Sequence, residues 1–101
     1  MPDEPRTTCR TPTRGRDGVT NIPTWKYEAV RAAILAAVRD AGAEGLAFKE
    51  LSGEVESRLA ADDLARLGSV VWHVTTVKLN MEVEGELVRL EGRGPQRLAA
   101  A

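Results

Sequence analysis

"VVWHVTTVKLNMEVEGELV", residues 70–88, decides the fold. Its first half is crowded with β-branched residues, and its second half alternates Leu79, Met81 and Val83 with Asn80, Glu82 and Glu84, a period of two that suits a half-buried strand. With a period of 3.6 instead, Val70, Val74, Val77 and Met81 gather on one face with Leu67 and Val71 beside them, which is a core stripe for a helix. Length separates the two. A helix of about fifteen residues is ordinary, a strand of that length far exceeds the usual five or six, and no turn residue interrupts the run before Gly85. The spacing therefore predicts a helix from about Val70 to Glu84, N-capped by Ser69 and stopped by Gly85.

Upstream, Thr24 stands where an N-cap belongs, and Tyr27, Val30, Ile34, Val38 and Ala41 recur at helical spacing until Gly42 closes the segment. The other side of this helix carries Trp25, Ala29, Ala32 and Ala36, a smooth stripe that another helix could approach closely, although alanine is also simply the best helix former. Leu46 to Phe48 is a short extended segment or a helix entry, and Leu51, Val55 and Leu59 mark a second helix from about Lys49. Residues 60–68 read as a connector, with room for one helical turn that docks Leu64 and Leu67. Beyond Gly85, "ELVRLEG" and "PQRLAA" are strands joined by "GRGP", whose glycines and proline supply the turn. The expected fold is mainly α with a small β-hairpin, in the order helix, short strand, helix, helix, strand, strand of a winged helix-turn-helix.

The run "VKLNMEVEGELVRLEGRGPQRL" resembles the end of a winged-helix recognition helix, its terminating glycine and the wing. From "KYEAVRAAIL" through "WHVTTVKLNMEVEGELVRL" to "PQRL", residues 24–98, the chain is similar to a small bacterial family of uncharacterised winged-helix-like proteins, which implies the fold and no established activity. A connector longer than the tight turn of a simple helix-turn-helix is the departure.

Residues 1–22 hold Pro2, Pro5, Pro12, Gly15 and Gly18 with many Thr and Arg, and read as a disordered tail preceding a winged-helix-like domain of residues 23–101. Arg6, Arg10, Arg14 and Arg16 against Asp3, Glu4 and Asp17 leave this tail at +1, a weak pull on phosphate, while the rest carries −2. One cysteine, Cys9, excludes an intramolecular disulfide, and with one histidine it cannot build a structural zinc site. The absence of an apolar run near the ~20 residues of a membrane span and of a signal-peptide pattern leads us to expect a cytoplasmic chain. Abundant Ala and an excess of Arg over Lys suggest a bacterial source.

Two uses compete for such a domain. DNA binding would place His73, Thr75, Thr76 and Lys78 of the third helix at base edges and Arg89, Arg93 and Arg97 of the wing on phosphates. Against it stand the net acidity and Glu82, Glu84 and Glu86 at the junction of helix and wing. A homodimer or another protein partner would instead use the outward row Trp72, Thr76, Leu79 and Val83, with Trp25 of the first helix. An enzyme is not expected: His73 has no evident carboxylate or nucleophile partner, Cys9 lies in the tail, and the glycines match no nucleotide fingerprint. No cofactor or metal is implied. Lys78, at the edge of the core face, is expected to snorkel to water.

Overall fold

The computed structural model describes residues 4–11, 19–92 and 94–101. Within them the chain forms four α-helices and small β-sheets. The first departure from expectation comes at once. Residues Arg6–Arg10 (β1) and Val19–Pro23 (β2) are not a tail but an antiparallel ribbon in the register Thr7 to Ile22 and Cys9 to Thr20. The alternation of a two-faced strand explains it: Cys9 and Ile22, on one face, are each only 2% exposed and join the core, while Arg6, Thr8, Arg10 and Asn21 face water. Two short apolar side chains were enough to dock a polar segment. Arg14 and Arg16 lie outside the described residues.

Helix α1 (Thr24–Ala41) follows the ribbon without a linker. Pro23 takes the cap position and Thr24 is already helical, so Thr24 does not act as the expected N-cap. Its backbone N–H is instead satisfied by the Pro5 carbonyl at 2.8 Å, and its hydroxyl shares a 2.9 Å hydrogen bond with that of Thr7. Gly42 ends the helix at φ +74°, as its position suggests. A short 3₁₀ turn, Gly42–Glu44, leads into β3 (Leu46–Ala47) and α2 (Phe48–Arg58). The expected connector contains a further helix, α3 (Ala61–Leu67), whose Leu67 is buried.

The opening stretch is a helix, α4 (Val70–Val83). Ser69 caps it, its hydroxyl accepting from the Trp72 N–H at 3.1 Å. Gly85, at φ +80°, reverses the chain, and the Glu86 N–H returns to the Met81 carbonyl at 2.8 Å. Strands β4 (Leu87–Leu90) and β5 (Arg97–Ala100) then form an antiparallel sheet with β3 in the order β3-β5-β4.

The core lies where α1 crosses α2 and α4: Val30, Ile34 and Val38 meet Leu51, Val55, Val74, Val77 and Met81, closed below by Leu87 and Leu98 and above by the ribbon. Burying such a side chain fully contributes roughly 1.5 to 3 kcal/mol. Gly45 fixes the sheet against this core. At φ +76° a β-carbon there would sit 2.6 Å from Leu90 Cδ1 and 2.7 Å from the Leu98 carbonyl oxygen, so only glycine fits.

Candidate functional site

Because the α4 core stripe is Val74, Val77 and Met81, the residues between them fall on two flanks and an outward row. Each flank carries polar side chains that the rest of the fold consumes. On one flank His73 is buried, with Nδ1 2.7 Å from the Ser69 carbonyl oxygen, and its ring meets that of Trp72 edge-on at 4.8 Å. Asn80, 4% exposed, donates from Nδ2 to the Tyr27 hydroxyl at 2.8 Å and accepts the Arg10 backbone N–H on Oδ1 at 2.9 Å. That last bond ties β1 to α4 through the strand's free edge. Burial is the main cause that pushes the Tyr27 phenol up, opposed by the Asn80 hydrogen bond.

On the other flank Lys78 does not snorkel. It is 3% exposed, its Nζ lying 3.0 Å from Glu82 Oε2 and 4.6 Å from the centre of the Phe48 ring. The α2 entry and Arg89 of β4 cover the route to water, so the ammonium is held by a carboxylate and a ring face instead. Glu82 completes the cluster by accepting from Arg89 as well. Burial lowers the Lys78 pKa below the ordinary lysine value, with Glu82 opposing it. For Glu82 burial pulls upward, but hydrogen bonds from Arg89 and Lys78 prevail and hold the carboxyl below its ordinary value.

The candidate DNA contacts are therefore not gathered on an open surface. His73 and Lys78 are buried and cannot reach a base edge; Thr75 and Thr76 are half-buried. Arg89 is held by Glu82, and Arg97 donates from Nε to the Glu44 carbonyl at 2.9 Å and from Nη2 to that of Gly45 at 3.0 Å. Arg93 lies outside the described residues. Of the junction acids, Glu82 and Glu86 are also engaged, Glu86 with the Arg31 guanidinium of α1, which holds its carboxyl below the ordinary range.

The candidate contact row fares differently. Trp72 is 46% and Val83 42% exposed, Leu79 and Thr76 are half-buried between them, and Val71, expected beside the core, is 63% exposed because it turns past the flank. Val88, on β4, is also exposed. Trp25 does not join this row: it is half-buried at the start of α1, with the Arg66 guanidinium 4.6 Å and Lys26 Nζ 5.7 Å from its ring, while Lys26 also donates to the Leu67 carbonyl. Trp25 pins α3 to α1.

The alanine stripe of α1 floors an open groove of about 450 Å³ walled by Arg58, Leu59, Ala60 and Asp63. Arg58 is occupied there by Asp40 and Glu54. Among the described residues no group of three or more His, Cys, Asp or Glu side chains is arranged to hold a metal ion, and no helix is long and apolar enough to cross a membrane.

Sequence reasoning passed over Asn80 and the burial of Glu82. Asn80 had a signal, a polar residue one step from the core stripe of a helix, which asks for a partner. No curated protein and no solved structure matches the chain. The model of DUF6958, a family of unknown function, matches residues 6–98, from the ribbon through β5, and the chain belongs to that family.

Proposed function

We propose that this chain is a non-enzymatic protein-contact module of winged-helix type whose contact surface is the outward row of α4. The winged-helix reading is supported by the order α1, β3, α2, α4, β4, β5 and by the sheet order β3-β5-β4, with α3 as an insertion before α4. In such an arrangement the helix before the wing presents its outer face. Here that face is Val71, Trp72, Thr75, Thr76, Leu79 and Val83, a largely apolar surface at whose edge Glu82 and Arg89 neutralise each other, and this one observation carries the reading. Phosphate recognition needs cations, and aromatic residues in an apolar row suit a protein interface.

DNA binding is the second reading, favoured by the helix-and-wing order and by the exposed Arg6 and Arg10 beside α4. Two measurements separate them. Hydroxyl-radical labelling of Trp72, scaled to that of Trp25 in the same sample, is expected to be strong in dilute purified protein and suppressed either at several hundred micromolar protein or in an extract of the cells that make it. Fluorescence anisotropy with duplex DNA is expected to show no saturable binding at micromolar protein. Equal scaled labelling of Trp72 in dilute protein, in concentrated protein and in the extract, with DNA binding that weakens by a salt slope of about −2, as Arg6 and Arg10 would give, would overturn the proposal.

A further inference from the structure

Resting on the reading of α4 as a protein-contact surface, we infer that its partner is a second copy of this chain, with the two α4 helices packed antiparallel across a two-fold axis. Trp72, Thr76, Leu79 and Val83 follow one another at steps of four, three and four residues. That is the a/d spacing of a two-helix seam, here on the side of the helix away from its own core.

The seam is complementary to itself in one direction only. Antiparallel pairing sets Trp72 against the partner copy's valine 83 position and Thr76 against its leucine 79 position, so each large side chain meets a smaller one. Parallel pairing would set tryptophan on tryptophan at one end and threonine on threonine in the middle, crowding one layer and leaving a gap in another. Antiparallel helices also place opposite dipole ends together.

Electrostatics permits the approach of like to like. The antiparallel contact brings only groups near the two-fold axis, between Thr76 and Leu79, close to their own copies, and the row itself carries no charge. Of the carboxylates next to Val83, Glu82 is 8% exposed and neutralised by Lys78 and Arg89, and the exposed Glu84 lies at the helix end, away from the axis.

Area sets the strength. The row spans about 16 Å of helix, at 1.5 Å per residue, and one helix face is smaller than the ~800 Å² per partner of a standard interface. A contact of that size belongs with the small, transient interfaces, so the dimer is sought at high protein concentration.

The test uses the full chain with Cys9→Ala, which removes the buried native thiol. Thr76→Cys and Leu79→Cys proteins are oxidised separately and as an equimolar mixture at several hundred micromolar, alongside sedimentation equilibrium of the wild-type chain. Expected is a covalent dimer that forms mainly in the mixture, at several times the yield of either protein alone, and a wild-type mass that rises with concentration. Dimers of Thr76→Cys alone would overturn the antiparallel register. A wild-type chain that stays monomeric to about 1 mM would overturn the second copy as partner. The contact-surface reading fails separately, by labelling of Trp72, scaled to Trp25, that is unsuppressed both in the extract and at several hundred micromolar protein. Should Cys9→Ala unfold the chain, the same oxidation is run with Cys9 retained, since that thiol is 2% exposed.

Discussion

On its flanks α4 buries His73, Lys78, Asn80 and most of Glu82; on its outer row it leaves Trp72 and Val83 in water. The helix is thus inverted relative to an ordinary amphipathic one outside its core stripe. Polarity alone does not decide which side is covered. His73 finds its partner in the Ser69 carbonyl at the helix's own start, and the other buried polar groups have partners brought by other parts of the fold: the Phe48 ring, the Tyr27 hydroxyl, the Arg10 amide and the Arg89 guanidinium. Among the described residues the outer row has no such partner. Satisfied groups close the fold on itself, and the row stays at the surface.

Breaking the charged flank gives the largest expected effect. Glu82→Gln leaves the Lys78 ammonium buried against a neutral amide, and removing one member of a buried pair costs about 3 to 5 kcal/mol. Urea unfolding should show a lower midpoint with an unchanged slope. Adding Lys78→Met should restore most of the loss, because the orphaned charge goes with it. The pH dependence follows from the same group: the Glu82 carboxyl titrates below its ordinary value in the folded chain. Its contribution is full above the ordinary carboxylate range and is lost as pH falls through the folded value, so the wild-type chain should be more acid-sensitive than Glu82→Gln. Lys78, lowered by burial, has the opposite meaning at neutral pH: the folded state holds its proton less firmly than the unfolded state. A Glu82→Gln chain within 1 kcal/mol of wild type would show that the cluster is solvated.

The uncharged flank is next. Asn80→Leu strips the Tyr27 hydroxyl of its donor and the Arg10 amide of its acceptor, each a loss of about 1 to 3 kcal/mol. The ribbon should respond more than the rest of the chain. Amide exchange at Arg10 is the readout, and it should speed up beyond what the global loss of stability explains.

Why these flanks escaped the sequence is a matter of long-range partners. The α4 core stripe, its Ser69 cap and its Gly85 stop were legible because each depends on neighbours within a few residues. Of the outer row, Trp72, Leu79 and Val83 were legible for the same reason, through helical spacing. Lys78 was misread because its partners, Phe48 and Arg89, come from other elements, and no local rule foretells that both will close over it. The ribbon was missed for a similar cause. Of the described side chains in "RTTCR" and "VTNIP", Cys9 and Ile22 enter the core, too few for a periodic signal, and the edge of β1 finds its acceptor at Asn80, seventy positions along the chain. Trp25 looked like a partner surface because its cations, Lys26 and Arg66, cannot be placed over a ring from spacing alone.

The smallest expected change in folding comes from the outer row, and its smallness is what sharpens the contrast. Trp72 makes its ring contact with His73 but is nearly half exposed, so Trp72→Gln should alter the stability of the dilute chain by less than about 0.5 kcal/mol, the range of surface substitutions. What it should abolish is the dependence of thermal stability on concentration. A chain that associates only when folded gains stability by mass action, so the wild-type midpoint should climb between about 10 μM and 1 mM while that of Trp72→Gln stays level. If instead Trp72→Gln destabilised the dilute chain as strongly as a core substitution, the tryptophan would belong to the fold and the inversion of α4 would be only apparent. A residue that matters to folding and one that matters to contact are distinguished here by which variable, denaturant or concentration, exposes its loss.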